Sequence, residues 1–204
     1  MIYLCLCVLI YAGLWKEKGL ITRQNRIFVQ KNHKIYFIIG ASGSGKTTTL
    51  KRFEKKLPDH CLLLHFDSIG VPYFKEMEKE YGSIEEWQRI QTIAWVKKLS
   101  ENNLTFSNVI FDAQIRPSFI QEACALYEVK YKVILFDCAD ATRKQRLISR
   151  GHPELADENM MNWAAFLRKE CQKHHHHILD NTHLNPEQTF ELFSKWLENH
   201  LIAK

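Results

Sequence analysis

The segment Gly40-Ala41-Ser42-Gly43-Ser44-Gly45-Lys46-Thr47 carries what is needed to hold a chain of phosphates. Its three glycines open backbone conformations closed to other residues, so successive N–H groups can turn inward toward one anion. Lys46 adds a cation for the β- and γ-phosphates, and the Thr47 hydroxyl is placed to ligate magnesium. Thr48 completes the set of nucleotide-contacting positions at the start of the element that follows. The spacing reads as a complete phosphate-binding loop, and it predicts a nucleoside triphosphate, with ATP and Mg2+ as the expected pair. Sequence alone does not separate ATP from GTP.

Such a loop works only if the flanking elements hold it. Ahead of it, Ile35-Tyr36-Phe37-Ile38-Ile39 is apolar, β-branched and aromatic, the pattern of a buried strand. Behind it, Leu50, Phe53 and Leu57 recur at helical spacing until Pro58 stops the helix. A helix starting at the loop contributes unpaired N–H donors and a partial positive charge. Strand, turn and helix agree.

The rest of the chain alternates in the same way. Cys61-Leu62-Leu63-Leu64-His65-Phe66 reads as a second strand ending at Asp67, and Val109-Ile110-Phe111 as a third ending at Asp112. Residues 72–104 read as mostly helical, with Ile84, Trp87, Ile90, Ala94 and Leu99 forming an apolar stripe. Pro117 to Val129 is a predicted helix, Val133-Ile134-Leu135-Phe136 a fourth strand, and Ala141 to Arg150 and Asp157 to Lys173 two further helices. Ile178-Leu179 offers a short fifth strand. Asn185-Pro186-Glu187-Gln188 then opens a last helix with a cap, a first-turn proline and a glutamine able to reach back. Strands joined through helices favour a parallel sheet covered on both faces, with ligands at the carboxyl ends of the strands.

With 204 residues, 46% apolar and 25% charged, the composition is that of one well-buried domain. A net charge of +5 is modest, part of it lies before residue 35, and no nucleic-acid partner is needed to account for it. The six cysteines have no zinc-site spacing and read as reduced, buried thiols in a cytoplasmic protein. His174-His175-His176-His177 also lacks a metal-ligand spacing. Residues 1–33 stand apart as a leader: Met1 to Trp15 has no charged residue and a basic stretch follows. The run is shorter than the roughly 20 residues a spanning helix needs. An anchor, a loose tail and upstream sequence all remain open, and any membrane contact would pass through this leader. The phosphate-loop domain is read as residues 34–204.

The residues around the loop narrow the class. No Asn-Lys-x-Asp base-reading motif of signalling GTPases occurs, and the strands end in Asp67-Ser68, Asp112-Ala113 and Asp137-Cys138 rather than in the adjacent Asp-Glu of hydrolytic ATPases. Without a water-polarising glutamate, a small molecule is the better phosphoryl acceptor.

Here the chain resembles the adenylate-kinase-like group of small-molecule kinases, including nucleoside, shikimate and gluconate kinases, within the AAA-type P-loop NTPase superfamily. The resemblance rests on the loop, on Asp112-Ala113-Gln114-Ile115-Arg116 after the third strand, on Asp67 after the second, and on the arginine-rich stretch Ala141 to His152. It implies a three-layer α/β fold with a five-stranded parallel sheet, strand order 2-3-1-4-5, and a helical lid. By the same resemblance Asp112 joins Thr47 in holding magnesium, Arg116 and Asp112 bind the acceptor, and Asp67 takes the acceptor's hydroxyl proton. Arg143 is then a nucleotide contact, while Arg146 and Arg150 are catalytic lid residues. Their spacing of four places Arg146 and Arg150 on one helix face. Plainer roles stand beside these: Asp67 as a turn residue, Asp112 and Arg116 as a surface ion pair, the arginines as a solvated face. Trp87, Trp95 and Trp163 read as packing residues. The expected activity is γ-phosphoryl transfer from ATP to a nucleoside, a nucleotide or another hydroxylated metabolite. A nucleotide-binding interaction module and a polynucleotide 5′-hydroxyl kinase are the alternatives.

Overall fold

The structure is a computed structural model, and it describes residues 33–101 and 106–201. The leader reading thus lies outside the described residues but for His33. Among the described residues no helix is long and apolar enough to cross a membrane.

Five strands, β1 (Lys34–Ile39), β2 (Cys61–His65), β3 (Asn108–Asp112), β4 (Lys130–Asp137) and β5 (His177–Asp180), form one sheet in the order β2-β3-β1-β4-β5. Every pairing is parallel. The expected strand order is therefore the observed one. The central position of β1 follows from its composition, because residues 35–39 are fully buried and suit a strand covered on both faces.

Side-chain alternation divides the core in two. Ile35, Phe37 and Ile39 point into a cluster with Phe111, Val133, Trp95, Val96, Ile120 and Leu167. This face is covered by α3 (Ile84–Glu101), α4 (Pro117–Leu126) and α6 (Glu158–Lys173). Met77, from the short α2 (Phe74–Tyr81), joins them. On the opposite face Tyr36 and Ile38 meet Leu50 and Phe53 of α1 (Lys46–Glu54) and Phe190, Phe193 and Leu197 of α7 (Pro186–Glu198). Burying one such side chain contributes about 1.5–3 kcal/mol. These two layers fix the heights of α1 and of the strand ends around the site.

Local signals set the helix starts. Asn185 and Gln188 form the expected capping box, with bonds of 2.9 and 3.0 Å, and Pro186 occupies the first turn. Asp157 caps α6 by accepting from the Met160 N–H at 2.8 Å. The remaining helix, α5 (Asp140–Ser149), presents the arginine-rich stretch to the loop. Trp87 and Trp95 are buried packing residues, as expected, and Cys61, Cys124, Cys138 and Cys171 are buried free thiols.

Candidate functional site

Because all strands run the same way, their carboxyl ends lie along one edge, and each delivers a polar group there. β1 delivers the loop. Gly45, at φ 87°, forms the N-cap of α1, and no side chain caps that helix or places an acid in its first turn. The N–H groups at this end are left for an anion. Gly40 has a packing reason as well: a Cβ there would stand 2.7 Å from the Phe136 carbonyl oxygen. Gly40, Ala41, Ser42, Gly43, Ser44, Gly45, Lys46 and Thr47 together line a cleft of about 320 Å³ whose other walls include His65, Asp67, Asp112, Gln114 and Arg150.

Within this cleft Lys46 is ion-paired to one oxygen of Asp112, and His65 Nδ1 lies 2.9 Å from the other. Burial alone would raise the Asp112 pKa, but the bond to His65 and the charge and bond of Lys46 outweigh it and hold the carboxyl below its ordinary value. The bond to Asp112 raises the His65 pKa in turn, against the opposing effect of burial. Asp67 sits in a single 3-10 turn, Phe66–Ile69. Its outer surface is exposed, yet enough protein flanks the carboxylate to raise its pKa, with Asp112 adding to the effect and Lys46 opposing it. Thr47 is exposed at the start of α1, and with Asp112 it supplies hard oxygen donors. That donor set suits magnesium, and the uncapped helix start suits a phosphate chain.

A second cavity, of about 440 Å³, shares Gly43, Gly45 and Arg150 with the cleft and is lined further by Thr48, Gln145, Arg146, Asn181 and Pro186 among others. Arg150 lines both hollows and Arg146 lines this one. The Arg146 guanidinium donates to the Asn181 side chain at 2.7 Å and to its carbonyl at 2.9 Å. Asn181 in turn donates to the Ser44 carbonyl at 2.7 Å, tying the end of β5 to the loop.

Two expectations are corrected. Arg143 was expected to contact the nucleotide, but its side chain is fully enclosed. It donates to the Ser42 carbonyl at 3.0 Å and pairs with Asp137 at 2.7 Å. Its long stem and fork brace the loop from behind. Arg116 was expected beside the acceptor with Asp112. Instead it donates to Gln88 at 3.0 Å and to Glu85 at 3.1 Å, and it lies over the rings of Trp163, Phe119 and Phe166. Asp112 pairs with Lys46 and His65, and Arg116 with Glu85, in place of the Asp112–Arg116 ion pair. Arg89 is paired with Glu86 and Glu122.

Sequence reasoning missed two residues: His65 was read only as part of a strand and Arg168 not at all, though it also pairs with Asp137. A signal for Asp137 existed: an acid at the end of an apolar strand, with Arg143 six residues on, needs a cation once buried.

Comparison with known proteins agrees with this architecture. The family model described as AAA domain matches residues 35–169. A curated relative, the energy-coupling factor transporter ATP-binding protein EcfA2 of Ureaplasma parvum serovar 3, is 29% identical over 119 residues, which is 57% of this chain and 26% of that protein. The aligned region is thus about a quarter of the relative's length. Among solved structures, deoxyadenosine kinase from M. mycoides has a TM-score of 0.54 at 20% identity over 81% of this chain and 99% of that one. The tunicamycin resistance protein of Deinococcus radiodurans has a TM-score of 0.58 at 17% identity over 84% and 99%. A gluconokinase from Sinorhizobium meliloti 1021 has a TM-score of 0.55 at 13% identity over 82% and 95%. The chain belongs to the AAA domain family and has the fold of the P-loop small-molecule kinases.

Proposed function

We propose that this protein is an ATP-dependent phosphotransferase that moves the γ-phosphoryl group to a hydroxyl of a small metabolite. The observation that carries the reading is the shared cleft: the loop with Lys46, the strand-end carboxylate Asp112 and a second carboxylate, Asp67, enclose one space. The strand ends carry Asp67-Ser68, Asp112-Ala113 and Asp137-Cys138 and no adjacent Asp-Glu pair to polarise water, which favours a hydroxyl acceptor over water.

The roles follow from placement. The loop N–H groups and the start of α1 bind the phosphates, and Lys46 exchanges its pair with Asp112 for the triphosphate. Thr47 and Asp112 would hold magnesium, which supplies neutralisation of the charge that spreads over the phosphoryl oxygens during transfer. Asp112 keeps its orientation through His65. Arg150, lining both hollows, is placed to follow the phosphate chain from one to the other. Asp67, with its raised pKa, accepts the hydroxyl proton as the oxygen–phosphorus bond forms. The larger cavity beside Gly45 and Asn181 is the space left for the nucleoside. An ATP-binding relative supports the choice of ATP. No nucleic-acid partner is required, and a cytoplasmic setting fits the buried free thiols.

The test is to incubate the purified protein with ATP, magnesium and a metabolite panel and to follow ADP and phosphorylated product. Acceptor-dependent ADP that disappears in Lys46→Ala supports the reading. A complete panel with no acceptor-dependent ADP removes it. One observation favours a second reading, a nucleotide-binding interaction module: Tyr73 and Phe74 are 83% and 68% exposed. Deleting residues 72–74 would then abolish partner capture without altering nucleotide affinity.

A further inference from the structure

In the sheet order β2-β3-β1 the end of β3 stands between the phosphate loop, which follows β1, and the turn of Asp67, which follows β2. Residues just past β3 therefore flank the path from a bound γ-phosphate to Asp67, and Ala113 and Gln114 both line the cleft. They belong to an irregular segment, residues 113–116, that joins β3 to α4. At its start the Ala113 N–H donates to the Ile38 carbonyl at 3.1 Å, and at its end the Arg116 carbonyl accepts the first bonds of α4. Between these anchors Gln88, partly buried on α3, grips the segment twice. Its Nε2 donates to the Gln114 carbonyl at 2.9 Å, and its Oε1 accepts from the Arg116 N–H at 3.3 Å. The same Oε1 accepts from the Arg116 guanidinium at 3.0 Å. That guanidinium is fixed in turn by Glu85 and by the Trp163 ring, so the amide is turned with its donors toward Gln114.

We infer that Gln88 is a positioning residue for phosphoryl transfer: by holding the Gln114 carbonyl it sets the wall of the cleft between the phosphate loop and Asp67. This rests on the kinase reading above and adds to it a residue that acts only through the backbone it holds, since Gln88 is outside the described lining of both hollows. In-line transfer tolerates little displacement, and a shift of about 1 Å can cost about a hundredfold in rate. Without Gln88 the Gln114 carbonyl loses its partner and the wall is free to shift. The phosphate loop has supports of its own in Arg143 and Asn181, so nucleotide binding does not depend on this grip.

The experiment compares the wild-type chain, Gln88→Ala and Gln88→Glu with Mg·ATP and the best acceptor from the metabolite panel. Gln88→Ala removes both grips. Gln88→Glu keeps a partner for Arg116 but sets a carboxylate oxygen against the Gln114 carbonyl, so it breaks only the bond to the wall. In both variants kcat should fall by about 10–100-fold, while the Kd of a non-hydrolysable ATP analogue, from calorimetry, stays within about twofold. A merely structural role would lower the melting temperature and leave kcat of the folded variants near wild type, and that result overturns the inference alone. A Kd raised as much as kcat falls also overturns it, because the grip would then serve the nucleotide. Wild-type kcat in Gln88→Glu counts against it too, since Arg116 rather than Gln114 would be the group that matters. If Gln88→Ala does not fold, Gln88→Glu decides. A panel in which the wild-type chain phosphorylates nothing overturns the kinase reading and this inference with it.

Discussion

The two halves of the site are built by different means. The nucleotide half is braced from behind: Arg143 and Arg168 converge on the buried Asp137, Arg143 holds the Ser42 carbonyl, and Asn181 holds that of Ser44. The half we propose for the acceptor hangs on a single 3-10 turn and a pair of strand ends, with Asp67 and Gln114 exposed. Beyond Asp67 the chain leaves Val71 and Tyr73 at 53% and 83% exposure. A half that meets the same phosphate chain every time gains from rigid preorganisation. A half that selects one acceptor keeps its groups at the surface, where substitution changes specificity at little structural cost.

Five substitutions or titrations sharpen or break this contrast. Arg143→Ala should have the largest effect on the fold, because it strips a fully enclosed charge partner from Asp137 and leaves loop carbonyls unpaired. The expected loss is about 3–5 kcal/mol by chemical denaturation. A cost below about 1 kcal/mol would mean that the brace is ornamental. Asp67→Asn should act the other way, lowering kcat by about a hundredfold or more with little change in unfolding midpoint or nucleotide affinity. Lys46→Ala belongs with it functionally, at about 100–1000-fold in kcat. Its unfolding free energy should stay close to wild type, since Asp112 retains His65.

Asn181→Ala should fall between the two halves. It releases the Ser44 carbonyl and the Arg146 fork at once, costs about 1–3 kcal/mol, and raises the KM for nucleotide more than it lowers kcat. The smallest effect is electrostatic. His65 is raised above its ordinary 6.5, so its contribution is complete below that value and is lost as pH rises through the folded-state pKa. Asp112 is lowered below 3.8, so its contribution is complete above that value and is lost as pH falls through the folded-state pKa. The pair therefore favours the folded state between about pH 4 and 6.5. In the apoprotein His65→Asn should flatten the decline in stability above that window, and thermal melts at stepped pH values would show an unchanged decline if the pair were idle.

The same contrast explains what could be read from the chain. The loop, the strand ahead of it, the Leu50 and Phe53 face of α1 and the Asn185 capping box are local patterns that periodicity or short spacing exposes. Of the stripe read over residues 84–99, by contrast, only Trp87 and Leu99 are buried, and Ile84, Ile90 and Ala94 face outward. The strand order came from resemblance and holds in the structure. The brace was not legible, because its partners are far apart in sequence: His65 and Asp112 by 47 residues, Arg146 and Asn181 by 35, Arg168 and Asp137 by 31. Arg143 was misread for a physical reason. Arginine on a basic helix turn is usually a surface or ligand-facing residue, and that expectation outweighed the one local signal, Asp137 ending an apolar strand six residues earlier. Arg116 failed similarly, since Glu85 and Trp163, which capture it, lie on separate helices.

The account depends most on the claim that residues 40–47 hold the phosphates of a nucleotide. Titration calorimetry of the wild-type chain with a non-hydrolysable ATP analogue, with and without magnesium, tests it directly. The prediction is saturable binding of one equivalent, strengthened by magnesium and severely weakened in Lys46→Ala. No heat of binding for the ATP analogue or its GTP counterpart in the presence of magnesium, from a protein shown to be folded, would contradict it.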